Sequence, residues 1–194
     1  MVLLRLSPTN AFSTTAHVLK GGLVYIPLDR IRCNEYCQSM ARLADEIKMT
    51  KPFSLMEEEA SLSVVRTADV MSQRMAELLK PFEVSSSQYN VLRILRGAKE
   101  PMACGQIAER MVSRDPDITR LLDRMEMRGL ISRARAEDDR RVVKTQITAK
   151  GLSLLDDLQP VIVEYHRRQF AGFGEKKLKQ LVEWMDQIRA TAEM

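Results

Sequence analysis

The stretch Asp115–Thr148, DPDITRLLDRMEMRGLISRARAEDDRRVVKTQIT, decides the fold. Its first part predicts one amphipathic helix ending at about Arg128. Asp115 offers an N-cap, Pro116 suits the first helical position where its missing N–H costs nothing, and Asp117 favours the positive end of the helix dipole. Ile118, Leu121, Leu122 and Met125 recur at helical spacing and define an inward face, while Thr119, Arg120, Asp123 and Arg124 fall on the opposite side. Gly129 supplies a left-handed residue after the helix. Leu130-Ile131 and Val142-Val143-x-Thr145-x-Ile147 then have the apolar, β-branched character of two paired strands. Between the strands stand Arg133, Arg135, Asp139, Arg140 and Arg141, so the second part reads as a hairpin with a basic tip.

Outward from this stretch, the charge pattern agrees with the local reading. The whole chain carries a net charge of only +4 over 194 residues. From Ser85 to Lys150, however, fourteen Lys and Arg stand against nine Asp and Glu. A phosphate-bearing partner is the economical reading of that local surplus; a solvated helical surface of mixed charge is the plainer one. Aromatic residues are few and Met is frequent, which suits a helical protein and argues against a β-sandwich. Cys33, Cys37 and Cys104 are too few for a disulfide framework. Nothing in the chain reads as a secretory signal or a membrane span, so a cytoplasmic location without membrane association is expected.

In chain order, residues 1–50 read as an N-terminal arm, partly disordered or lying ahead of the true start, since Met40, Met49 and Met56 each offer another beginning. Short apolar clusters there are interrupted by Pro8, Gly21-Gly22 and Pro27, with a helix-like run only from Cys33 to Lys48. Glu57–Lys80 predicts a long helix with a stripe of Val64, Ala68, Met71, Met75 and Leu78. Its apolar residues spill onto other faces through Leu62, Val65, Val70 and Leu79, which points either to a second subunit or to a helix buried within its own chain. Ser85-Ser86-Ser87 caps a helix over Tyr89–Gly97, with Tyr89, Leu92 and Leu95 inward. After an extended link at Met102-Ala103, a brief helix over Ala103–Met111 turns Ile107, Ala108 and Met111 inward. Two short helices joined by a tight turn, the second with outward Thr and Arg, have the dimensions of a helix-turn-helix, and the hairpin adds a wing. Beyond it Thr148 caps a long helix carrying Leu152, Leu155, Leu158, Ile162 and Tyr165, bent but not ended by Pro160. Gly172-Phe173-Gly174 breaks the chain before a last helix over about 175–192.

The fold class expected is therefore mainly α with a small β-hairpin. A winged helix-turn-helix domain over 85–148 is flanked by a helical region made of 51–84 and 149–194. Gln106-Ile-Ala-Glu-Arg, Ile118-Thr-Arg-Leu-Leu-Asp-Arg-Met-Glu, Arg128-Gly-Leu-Ile, Glu137-Asp-Asp-Arg-Arg and Ile147-Thr-x-x-Gly, in this order, resemble the multiple-antibiotic-resistance regulator (MarR) family of winged-helix transcription factors over about residues 57–192. The resemblance implies a homodimer with interleaved terminal helices on pseudo-palindromic double-stranded DNA, acting as a repressor released by a small ligand. It implies that the 115–128 helix enters the major groove, that Arg141 reaches a minor groove and that Asp139 orients the wing. The sequence departs from the family pattern at Val112-Ser113-Arg114-Asp115-Pro116, where Gly-Val-Ser-Arg-Pro is usual.

Side-chain chemistry supports similar assignments. Arg bridges guanine O6 and N7, Thr touches a thymine methyl or a phosphate, and Arg suits a narrow A·T-rich minor groove. The DNA-contact candidates are Ser113, Arg114, Asp117, Thr119, Arg120, Arg124, Arg135, Asp139, Arg140 and Arg141. A surface Arg paired with Asp117 or Asp123 is the alternative reading for Arg120 and Arg124. By family likeness and apolar composition, a ligand pocket is expected among Met71, Met75 and Tyr89. With only His17 and His166, and with no Gly-rich phosphate loop, HExxH or GxSxG spacing, neither catalysis nor any metal or cofactor is expected. Two alternatives stay open: redox sensing through Cys104, or through Cys33 and Cys37, and a dimeric module that binds protein instead of DNA.

Overall fold

The computed structural model describes residues 17–19, 22–24, 43–136, 139 and 141–192. A short antiparallel hairpin, β1 (His17–Leu19) and β2 (Gly22–Val24), lies in the stretch where the sequence gives no period. Helix α1 (Leu43–Glu46) is brief, and Lys48 just beyond it takes a left-handed φ of 54°. Cys33 and Cys37 lie outside the described residues. Then come α2 (Met56–Leu79), a 3-10 turn at Lys80–Phe82, α3 (Ser86–Gly97), β3 (Met102–Ala103), α4 (Cys104–Glu109), α5 (Ile118–Met127), β4 (Ile131–Arg135), β5 (Val143–Ile147), α6 (Ala149–Gln169) and α7 (Glu175–Ala192).

The sheet corrects the sequence reading in two ways. Met102-Ala103 is a third strand: order β3-β5-β4, all antiparallel, with Met102 opposite Thr145 and Ala103 opposite Lys144. Two residues are too short to display alternation, so the strand is invisible without its partner. The first wing strand also runs further than expected, pairing Arg133 with Thr145 and Arg135 with Val143, so neither Arg belongs to the tip.

Helix α5 starts later than expected. Its N-cap is Asp117, whose carboxylate accepts from the backbone N–H of Arg120 at 3.4 Å, while Asp115 accepts from the N–H of Asp117 at 3.0 Å. Two competing Asx caps lie two residues apart, and the one adjoining the apolar period prevails. The C-terminus follows expectation. Gly129, at φ +69°, donates to Glu126 O at 2.8 Å and Leu130 donates to Met125 O at 3.0 Å, which satisfies two otherwise unpaired carbonyls.

One core cluster joins Val91, Leu92 and Leu95 of α3, Ile107 of α4, Leu121, Leu122 and Met125 of α5, and Leu155 of α6. A second joins Leu78, Leu79, Phe82 and Val84 to Leu158, Val161, Ile162 and Tyr165. Tyr89 packs against both. Full burial of a side chain such as Leu122 contributes about 1.5–3 kcal/mol, so the inner face of α5 fixes its orientation. Ala108 and Leu152, both expected inside, are exposed, because α4 is only six residues long and α6 turns Leu158, Val161 and Ile162 inward instead. Pro160 lies within α6 without ending it.

Two ties join these parts. The wing returns to the helical region where Thr148 N–H donates to Leu130 O at 3.2 Å and its hydroxyl donates to Gly129 O at 2.7 Å. Gly151 packs there so closely that an added Cβ would stand 2.3 Å from Leu130 O. Separately, the Arg128 guanidinium donates to the carbonyl of Glu83, a residue with φ 55° in the turn that follows α2. We expect Gly151→Ala to destabilise the fold by at least about 2 kcal/mol, because backbone is the obstructing group; urea denaturation followed by circular dichroism measures this.

Candidate nucleic-acid interface

Burial of Leu121, Leu122 and Met125 leaves Thr119, Arg120, Asp123 and Arg124 on the solvent side of α5, as the helical spacing predicts. Just before the helix, Ser113 and Arg114 are exposed in the turn that follows α4. That turn is held to α3 by the side chain of Asn90, which accepts from Val112 N–H at 2.8 Å. Gln106 caps α4 by accepting from Ala103 N–H at 2.9 Å. The paired short helices are thus fixed by amide side chains that a search for cations passes over.

Arg120 is 82 % exposed, and its Nε lies 3.3 Å from the N-cap carboxylate of Asp117. This is the pairing that the sequence leaves as the alternative to DNA contact. The two do not exclude one another: an exposed ion pair contributes at most about 1 kcal/mol, so the guanidinium can exchange partners cheaply. In the wing, Asp139 accepts from Arg141 N–H at 2.9 Å, and Arg141 Nε lies 3.4 Å from the same oxygen. The Arg141 side chain is 93 % exposed, so the carboxylate braces the base of a side chain that projects into solvent. Arg135 is exposed at the end of β4, and Arg140 falls outside the described residues.

Sequence reasoning missed the part played by Arg133. Its Nη1 is 2.6 Å from Asp123 Oδ1 and its Nε is 3.3 Å from Glu126 Oε2, while its backbone N–H donates to Glu126 Oε1 at 3.1 Å. With 22 % of its side chain exposed, Arg133 spans the angle between α5 and β4. Strand alternation was the signal available: Arg133 and Arg135 point to the same face only if the strand reaches that far.

The other candidates lie apart from this face. Met75 and Tyr89 pack against the second core cluster, and Met71 O accepts from the Tyr165 hydroxyl at 3.4 Å. Two surface concavities lie elsewhere. One of about 350 Å³ is lined by Ala76, Glu77, Lys80, Glu83 and Val84, and one of about 400 Å³ lies on the wing sheet beside Ser132, Ala134, Lys144 and Gln146. Cys104 is a half-buried free thiol at the start of α4. Among the described residues no group of three or more His, Cys, Asp and Glu is placed to hold a metal, and no helix is long and apolar enough to cross a membrane.

Residues 84–143 match the sequence pattern of the MarR family. The crystal structure of a MarR transcription factor from Planctomyces limnophilus is 41 % identical, with a TM-score of 0.54 over 71 % of this chain and 99 % of that one. The chain belongs to the MarR family. It is a MarR-family transcriptional regulator with the winged-helix fold. Two more distant structures share that fold. One is MepR of S. aureus in complex with DNA, 20 % identical with a TM-score of 0.62 over 68 % of this chain and 96 % of that one. The other is the repressor CouR bound to a 23-mer duplex, 21 % identical with a TM-score of 0.61 over 72 % of this chain and 99 % of that one.

The tyrosines of this MarR chain supply a pH test of the packing that carries the interface. Burial raises the Tyr89 phenol above its ordinary value of 10.0, opposed by the Arg93 and Arg96 guanidiniums, and burial likewise raises Tyr165, opposed by Arg74. Each neutral phenol therefore contributes stability that is fully present below pH 10.0 and is lost as pH rises through the higher folded value. Urea denaturation at stepped alkaline pH should give a falling stability whose slope becomes shallower in Tyr89→Phe.

Proposed function

We propose that this MarR protein binds double-stranded DNA sequence-specifically as a homodimer on pseudo-palindromic operators, as a repressor in the cytoplasm that a small ligand releases. The observation that carries the reading is the two-sided build of α5: an inner face locked in the core, and an outer face that exposes Arg120 and Arg124, with Arg141 likewise exposed on the wing. Arg120 and Arg124 read base edges in the major groove, with Thr119 and Asp117 beside them. Ser113 and Arg114 meet phosphates, and Arg135, Arg140 and Arg141 follow the adjacent minor groove with Asp139 as brace. The DNA complexes of MepR and CouR lend support by fold.

Residues 51–84 and 149–194 form the dimerisation region in this proposal. Leu62 and Val65 of α2 and Val182, Trp184 and Ile188 of α7 are exposed in the single chain, an apolar surface that a second copy would bury. The dimer sets the distance between the two α5 helices, which must match half-sites about one helical turn apart. A small molecule lodged near Met71, Met75 and Tyr89, between this region and the winged domain, alters that distance and weakens operator binding.

Anisotropy titrations of a labelled mixed-sequence duplex at several salt concentrations test the reading. Wild type should give a steep negative log–log salt dependence, and a flat one would point instead to a protein-binding module. Arg120→Ala should weaken binding to operators recovered by genomic selection by about 1–3 kcal/mol and relax their base preference; unaltered retention by Arg120→Ala and Arg141→Ala would overturn the assignment. Sedimentation should give a dimer for wild type, shifted towards monomer by Val182→Glu with Ile188→Glu.

A further inference from the structure

A helix in a major groove and a wing in the next minor groove must straddle the ridge of phosphates between them, so the angle between α5 and β4 faces the most negative part of a duplex. In this chain that angle holds two carboxylates. Asp123 and Glu126 are both partly exposed on the flank of α5 towards the wing, and unscreened they would repel the ridge. Arg133 lies between them, 2.6 Å from one and 3.3 Å from the other. Its Nη1 donates to Asp123 Oδ1, while its Nε is shielded from solvent and sits in ion-pair contact with Glu126 without a hydrogen bond. Glu126 is held in turn by the backbone N–H of Arg133.

We propose that Arg133 is a positioning residue for DNA binding that acts through Asp123 and Glu126: it cancels their charge beneath the phosphate ridge and does not itself contact DNA. The inference rests on the DNA-binding reading above. It separates Arg133 from Arg120, Arg124 and Arg141, which project into solvent. Two carboxylates facing phosphate, left without their cation, weaken binding by repulsion that salt screens.

The test compares wild type with Arg133→Ala, with Asp123→Asn/Glu126→Gln, and with all three substitutions combined, each titrated as the full chain against a mixed-sequence duplex in dilute and in higher salt. Arg133→Ala should bind roughly tenfold more weakly in dilute salt, with the deficit shrinking as salt rises. The triple variant should return to within about threefold of wild type, since no carboxylate remains to repel phosphate. Asp123→Asn/Glu126→Gln, which keeps Arg133, should bind at least as tightly as wild type, and it keeps the test open should Arg133→Ala fail to fold. A purely structural clamp predicts the reverse: all three variants weakened alike at every salt concentration. That result, or undiminished binding by folded Arg133→Ala, overturns the proposal. If wild type retains no duplex, the DNA-binding reading itself is overturned, and this inference with it.

Discussion

The burial of one face of a ten-residue helix is the constraint on which the rest depends. Leu121, Leu122 and Met125 enter a core built from α3, α4 and α6, and that core allows α5 a single rotation about its axis. Large-to-small changes at such positions cost about 2–5 kcal/mol, so the exposed face cannot slide inward without losing much of the domain's stability. What α5 presents is therefore decided by what it hides. The tight closure of backbone at Leu130 and Gly151 continues the same constraint into the wing, which springs from the helix end within a few residues of its own return.

On the exposed side the charges are arranged so that they can be exchanged. Asp117 holds Arg120 and Asp139 holds Arg141, each at the solvent boundary, where an ion pair is weak and screened. Such pairs orient long cationic side chains yet let them change partners at little energetic loss. Arg133 differs, being enclosed by two carboxylates of the neighbouring helix.

The major elements were legible in the sequence because their apolar periods are long. The spans of α2 and α6, the buried face of α5 and the Gly129 stop coincide closely with the structure, although Ala68 of the α2 stripe is exposed, and the ordered motifs from Gln106 to Gly151 agree with the family. Shorter features were not legible. A two-residue strand has no period, and the rival caps at Asp115 and Asp117 differ only by their distance from the first buried side chain. The outward cations of α5 followed directly from the helical spacing, whereas the engagement of Arg133 needed the β4–β5 register, which turn and strand propensities do not supply. Leu152 continues a leucine series and yet is exposed, because the facing elements, and not the series, decide which turn of α6 is covered.

The bond from Arg128 to the carbonyl of Glu83 has a mechanical consequence. It fastens the C-terminal end of α5 to the short left-handed corner where α2 gives way to α3, while Lys150 grips the carbonyl of Arg128 from the first turn of α6 at 2.8 Å. The end of α5 is thus bonded both to the corner between α2 and α3 and to the start of α6, so a tilt of α2 is passed to α5 through these contacts. In the proposed complex, the orientation of α5 towards DNA is thereby linked to helices outside the interface.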